Sequence, residues 1–316
     1  KQVVHNRPRI VIMGMIDTHE IEWAISHDIE FYIFDMDRLE KTIQLAKTVG
    51  KPALIHLEVE TGMNRIGCEI KNASKYIDLI TRNMDHLKLK GLCTHFAGAE
   101  DISNYLRIKN QKKLYTKWEV LLKEAGLTFE QKHTACSAAA IRDPKTKMDM
   151  VRIGILQYGF WPSKETFIEY LANRKRKTDP LKRVISWKST VMSIKSVAQG
   201  QYIGYGTSYL ASSDLKVAAV PVGYAHGFAR SLSNQGRVLI NGERVPVIGT
   251  VNMNMMLIDV SILPDVKPGD EVVLIGHQRQ QTITVSSFSD FSNQLNYELL
   301  TRLPLDIPRV IKGNGG

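Results

Sequence analysis

The sequence predicts an α/β fold: a parallel, TIM-like (β/α) barrel, incomplete over this chain, followed by a mainly β C-terminal domain. Two observations predict it. Through residue 172, short and wholly apolar runs alternate with amphipathic helical segments, the pattern of a parallel sheet covered by helices. Beyond Pro180 the runs turn short and β-branched and are separated by Gly or Asn turns, as in an antiparallel domain. The domains are accordingly expected at 1–172 and 173–316.

In chain order, Ile10–Met13 reads as a buried strand ending at Gly14, and Thr18–Ile25 as a helix. Ile29–Phe34 is the next strand, and the helix after it starts at Asp37 as N-cap, with Glu40 three residues on, and stops at Gly50 and Pro52. Strand Ala53–Val59, helix Ala73–Arg82 and strand Leu87–Thr94 continue the alternation. A long helix within Ile102–Ala125 sets Leu114, Trp118, Leu121 and Ala125 on one face and closes at Gly126. Strands near Phe129–Thr134 and Met150–Ile153 bring the count to six, where a closed barrel has eight. In the second half, strands are expected within Val184–Val197, Leu215–Val222, Arg237–Ile240, Val245–Ile248 and Glu271–Ile275, with Asn241-Gly242 as a hairpin turn. A helix is expected after Val285 and another over Tyr297–Leu303, with a loose tail from Gly313.

Composition narrows the class. At 43% hydrophobic and 23% charged residues, the chain is an ordinary globular protein with enough apolar material for a sizeable core. It contains no apolar run long enough to span a bilayer, and its three scattered cysteines, Cys68, Cys93 and Cys136, suit a reducing compartment, so the cytoplasm is expected. The net charge of +10 is spread over scattered lysines and the cluster Arg174-Lys175-Arg176-Lys177, read as a solvated linker face. No basic stripe with interleaved aromatics points to nucleic acid, and no His/Cys spacing points to a metal.

One stretch stands apart: Gly204-Tyr205-Gly206, a phenol between two glycines, presented where neither neighbour can shield it. Tyrosines in turns are commonly just that. This one is accompanied by Thr94-His95-Phe96, Ala135-Cys136-Ser137-Ala138, Arg152-Ile153-Gly154-Ile155 and Val251-Asn252-Met253-Asn254, and by Thr61-Gly62-Met63-Asn64-Arg65-Ile66-Gly67. His95, the Glu58–Arg65 segment, Ser137 and Arg152 all stand at carboxyl ends of expected barrel strands, the rim where barrel enzymes do chemistry. Arg152, inside an apolar strand, needs an acceptor, which a core ion pair would also supply.

In that order these segments resemble the alanine racemases that depend on pyridoxal 5'-phosphate, from near Ile10 to about Ile311. The resemblance implies interconversion of L- and D-alanine by two bases on opposite faces of the cofactor-bound substrate, with Tyr205 as one of them. It places His95 against the cofactor ring and Arg152 on the pyridine nitrogen, where a permanent cation weakens the ring as an electron sink, as racemisation prefers. Ser137, Gly154 and Ile155, joined by Tyr297, would hold the phosphate. Arg65 and the Met253 amide would take the substrate carboxylate, and Tyr224 would narrow the entrance. A head-to-tail homodimer with shared active sites is implied as well.

The chain departs from the family at three places. Glu58 stands where many relatives have a carbamylated lysine, supplies an anion directly, and is expected to orient Arg65; Asn254 replaces the usual aspartate and removes a charge near the entrance. Nothing matches the Val-Lys-Ala-Asn-Ala-Tyr-Gly-His segment whose lysine holds the cofactor and serves as the second base. An N-terminal piece carrying it is expected to precede residue 1; the rival is an inactive homologue. A barrel-type amino-acid decarboxylase shares the cofactor but calls for a carboxylate where Arg152 stands, and a racemase of serine or another small amino acid stays open, although Tyr297 favours alanine.

Overall fold

The computed structural model describes residues 8–172, 174–285 and 296–311. They form two compact units, residues 1–157 with 161–180, and residues 158–160 with 181–316.

The first unit is built on a five-stranded parallel sheet in the order β1 (Val11–Ile12), β2 (Glu30–Ile33), β3 (Ala53–Glu58), β4 (Leu87–Cys93) and β5 (Gln131–His133). Helices α1 (Thr18–Ser26), α2 (Met36–Val49), α3 (Ala73–Thr81) and α4 (Tyr105–Glu124) supply the crossovers. Ile21, Leu39, Ile43, Ile80 and Trp118 from their apolar stripes share one buried cluster with Phe31, Ile33, Ile55 and Leu57 from the strands. Burying strand residues on both faces is what makes these runs read as continuously apolar. The sixth expected strand is reduced to a single parallel bridge, Cys136 to Arg152, because the chain there turns directly into site-forming loops.

Two local expectations shift. Helix α2 is capped by Asp35, whose carboxylate accepts from the Arg38 N–H at 2.7 Å, and not by Asp37, which lies in the first turn. Asp35 wins because its backbone is extended, as an N-cap requires, and Gly50 ends the helix in the left-handed region at φ 72°, as expected. Helix α4 buries Gln111, Tyr115, Trp118 and Leu122, a stripe rotated from the predicted one. Helices α5 (Ser137–Arg142) and α6 (Lys164–Ala172) close the unit, and the basic cluster beyond α6 is exposed: Lys177 caps the Leu171 carbonyl and Arg174 lies over the Tyr170 ring.

The second unit is an eight-stranded antiparallel sheet. Its path runs β13 (Gln281–Ile283), β12 (Glu271–Gln278), β9 (Arg237–Ile240), β10 (Glu243–Ile248), β11 (Met256–Asp259), β8 (Leu215–Val220), β7 (Ser193–Val197), with β6 (Trp187–Thr190) also on β12. The hairpin between β9 and β10 turns on Asn241 and Gly242, both at positive φ, in register Ile240 to Glu243. Val238, Leu239, Val247, Val272 and Leu274 are fully buried and form its interior. Helix α7 (Asn296–Arg302) contains Tyr297, whose side chain lies outside the described residues, as do the helix expected after Val285 and the tail from Gly313. No described helix is long and apolar enough to cross a membrane.

Candidate active site

In the first unit, Arg152 organises the carboxyl ends of the strands. Its N–H bonds the Ala135 carbonyl at 3.0 Å, which sets the residue beside β5. The guanidinium donates from Nη2 to the carbonyls of Thr94 (2.5 Å) and Thr134 (3.1 Å), and from Nη1 to the Tyr32 hydroxyl (3.5 Å). One side chain thus ties β2 to the ends of β4 and β5. All these acceptors are neutral, so a core ion pair is not what holds Arg152 among the described residues. Its Nε is buried with no acceptor among the described residues. A permanently charged donor left short of one partner marks a place for an incoming acceptor.

His95 follows β4. Burial, then the charges of Arg152 and Arg65, push its imidazole down to about 4, so it is neutral near pH 7. Ser137 opens α5, is buried, and accepts the Gly154 N–H on its Oγ at 3.0 Å; Ile155, next in the chain, is buried too. A hydroxyl and a backbone N–H brought together at the strand ends can serve an anion.

Arg65 rides the loop beyond β3. The base of this loop is closed by the Cys68 N–H on the Glu58 carbonyl (2.8 Å) and the Glu60 N–H on the Cys68 carbonyl (3.0 Å). Gly67, at φ 131°, leaves room for that closure, since a Cβ there would meet the Glu60 nitrogen at 2.7 Å. The Glu60 carboxylate accepts the N–H groups of Gly62 and Asn64. Arg65 itself is exposed, whereas Glu58 is only 4% exposed and has no side-chain hydrogen bond or ion pair to Arg65. Direct orientation of Arg65 by Glu58 is therefore not what the contacts display. Burial pushes the Glu58 carboxyl up, and the charges of Arg152 and Arg65 pull it partly back.

Sequence reading missed a polar chain beneath these residues. Arg9 holds Glu30 through two hydrogen bonds (2.6 and 2.8 Å), Glu30 meets His56 Nε2 at 2.7 Å, and His56 Nδ1 meets His133 Nε2 at 2.8 Å. Burial pushes Glu30 up, but hydrogen bonds from Arg9 and His56 outweigh it and hold the carboxyl below its usual range. With Glu30 ionised, His56 carries its proton on Nε2 and accepts on Nδ1 from His133 Nε2–H. His133 Nδ1 is then a bare acceptor, buried without a partner. The Tyr32 ring lies over both histidines, with centroids 5.8 and 6.0 Å away. Only Gly91 permits this arrangement, because a Cβ there would stand 2.0 Å from His56 Nδ1. The cue was a histidine inside the apolar strand β3 and another ending β5, but their pairing is set by strand order.

In the second unit, Tyr205 is 74% exposed at the tip of a loop closed by the Ile203 N–H on the Tyr209 carbonyl at 2.9 Å. Gly204 and Gly206 both adopt positive φ, 77° and 70°, so the two glycines serve the backbone bend. The Tyr205 carbonyl, not its phenol, is anchored, accepting from Thr250 Oγ1 at 3.4 Å. Nearby in sequence, the Tyr224 N–H bonds the Asn252 carbonyl (3.0 Å) and the Ala225 N–H bonds the Met253 carbonyl (2.8 Å), which sets Tyr224 beside Met253. Gly223 makes that approach possible, as its Cβ would fall 2.1 Å from the Asn252 oxygen. Tyr224, Met253 and Asn254 are all exposed.

Comparison with known proteins agrees with this layout. Residues 2–162 match the family model "Alanine racemase, N-terminal domain", and residues 184–311 match "Alanine racemase, C-terminal domain". The alanine racemase of Halothermothrix orenii is 34% identical over 316 residues, covering 97% of this chain and 78% of that protein. The alanine racemase of Leptospira interrogans is 34% identical over 302 residues, covering 96% of this chain and 76% of its own length. Among solved structures, the alanine racemase of Bacillus anthracis with bound L-Ala-P has a TM-score of 0.86 at 30% identity, covering 98% of this chain and 78% of that one. The enzyme of Streptomyces lavendulae has a TM-score of 0.88 at 26% identity, with 98% and 79% coverage. The chain belongs to the alanine racemase family.

Proposed function

We propose that this chain interconverts L- and D-alanine with pyridoxal 5'-phosphate as cofactor, in the cytoplasm, as a head-to-tail homodimer in which Tyr205 of one copy serves the cofactor site of the other. The observation that carries the reading is Arg152, a half-buried guanidinium with neutral acceptors and a buried Nε that lacks one among the described residues. A pyridine nitrogen would supply that missing acceptor, so the residues present fit the cofactor. Three unpaired cysteines accord with a reducing compartment.

Pyridoxal phosphate, when bound, conjugates the substrate α-carbon with its ring and so acidifies the α-hydrogen. The protein's own groups do the rest. Arg152 would hold the ring nitrogen with its permanent charge and, being unable to lose a proton, would give that nitrogen none. A carboxylate there would stabilise the protonated ring nitrogen and favour decarboxylation, which is why Arg152 argues for racemisation. Neutral His95 can relay a hydrogen bond without adding a third charge beside Arg152 and Arg65. Ser137, Gly154 and Ile155, with Tyr297, hold the phosphate, while Arg65 and the Met253 N–H hold the substrate carboxylate. Tyr224 narrows the entrance, and Asn254 leaves it without the usual negative charge. Glu58 supplies an anion behind Arg65 and Arg152. Tyr205 gives or takes the proton at its phenolic oxygen on one face of the α-carbon. The lysine base of the other face has no match in this sequence.

Spectral titration of the chain with pyridoxal phosphate tests the reading, alongside chiral analysis of alanine incubated with both. Binding should weaken at least tenfold in Arg152→Leu. Equal binding by that variant, or none by the parent chain, overturns it.

A further inference from the structure

Helix α4 carries a glutamine where its buried stripe calls for an apolar residue. Gln111 is 1% exposed, in line with Tyr115, Trp118 and Leu122. A polar group so placed is costly unless bonded, and this one is bonded throughout. Its Nε2 donates to Thr61 Oγ1 (3.2 Å) and the His95 carbonyl (3.0 Å), and its Oε1 accepts the Ala97 N–H (2.9 Å). Both N–H groups and the oxygen are engaged, so the amide orientation is fixed: flipped, its oxygen would face the His95 carbonyl. Thr61 Oγ1 also shares a hydrogen bond with Thr94 Oγ1 at 2.7 Å. One turn earlier on the same face, Arg107 donates from Nε and Nη2 to the Gly62 carbonyl, at 3.2 and 2.9 Å. Asn104 completes the set by donating to the Gly98 carbonyl at 3.2 Å.

We propose that Gln111, assisted by Arg107, is a positioning residue that locks the Arg65 loop to the His95 segment, so that the two site residues keep one fixed relation. Resting on the functional reading above, this assigns α4 a part in the active site that none of its residues plays by direct contact. The physical reason lies in the topology. The loops after β3 and β4 leave the sheet separately, and their tips have no strand pairing to align them. A side chain from the helix that follows β4 reaches both. The same lock keeps His95 out of water and near Arg152 and Arg65, the groups that face it and depress its proton affinity.

The test is made on the whole chain without cofactor, so its outcome is separate from that of the cofactor titration. His95 is followed by NMR as a function of pH, assigned by loss of its signal in His95→Gln, and amide exchange is read at Ala97 and across 61–65. In Gln111→Met the His95 midpoint should rise from about 4 toward 6.5, and Ala97 should exchange at least tenfold faster. Tyr115→Phe is the control, since it removes the Tyr115 hydroxyl bond to the Leu92 carbonyl (2.9 Å) from the same helix face. It should leave both readouts unchanged. Should Gln111→Met not fold, Arg107→Met, at an exposed site, is expected to speed exchange at 61–65. A His95 midpoint and Ala97 protection like the parent's in Gln111→Met, the same change in Tyr115→Phe, or unaltered 61–65 exchange in Arg107→Met overturns the proposal.

Discussion

The two units bury different things. In the first, Glu30, Arg38, His56, Glu58, Gln111 and His133 are buried beside apolar neighbours, whereas every buried side chain recorded for the second unit is apolar. Among the described residues, the titratable groups with resolved shifts, from Arg9 to His133, likewise all belong to the first unit. The second unit instead places its chemically able group, Tyr205, at a loop tip in open solvent. Low dielectric makes each charge in the first unit strongly felt and requires a hydrogen-bonded partner for nearly every polar atom. An apolar sheet imposes no such demand and serves as a rigid mount for one phenol. The difference teaches that one unit tunes charge and the other presents an exposed phenol.

Tyr205→Phe breaks the comparison most sharply. With the ring 74% exposed, stability should move by less than about 0.5 kcal/mol, while one direction of α-proton exchange falls by about 100-fold or more. Deuterium wash-in from solvent, followed separately for each enantiomer, reads it; equal retention of both directions would remove Tyr205 from the proton path.

His56→Leu tests the buried chain. It strands one side of Glu30 and the His133 N–H, and about 3 kcal/mol of stability should be lost. Denaturant unfolding measures this, and a loss below about 1 kcal/mol would mean that the chain contributes little beyond packing.

Acid should separate the units with the smallest effect. His95 and His133, pushed down to about 4 and about 3 by burial, bind a proton more weakly folded than unfolded. Stability is therefore complete above the ordinary value of 6.5 and falls as pH drops from there toward those values, with His56, also lowered by burial, adding to it. Glu30, held low, contributes stability that is lost below 4.5, while Glu58, raised by burial, works the opposite way near its own titration. Hydrogen exchange between pH 7 and pH 4 should loosen β2 to β5 before β8 to β12. The reverse order would contradict the division drawn here.

Much of this was legible beforehand. Gly50, the Asn241-Gly242 hairpin and the alternation of strand and helix carry local chemistry that survives in any context. Other features were not. Asp37 satisfies the capping pattern as well as Asp35 does, and only the backbone conformation chose between them. Met150–Ile153 reads as a strand, yet offers the sheet a single bridge. The strand β13, three residues long, is too short to be distinguished from loop by pattern alone. Gln111 could not be foreseen as buried, because its partners Thr61, His95 and Ala97 lie 50, 16 and 14 residues away.

By itself, the sequence determined the kinds of element, the motifs that mark the family and the glycine-flanked phenol, since these follow from local sterics and apolar periodicity. Tertiary structure alone decided that Arg152 would bond carbonyls and not a carboxylate, that His56 would meet His133 across the sheet, and that Glu58 would stay buried without a hydrogen bond or ion pair to Arg65. The reason is distance along the chain: hydrogen bonds between separate strands depend on strand order and register, which no short window of residues encodes.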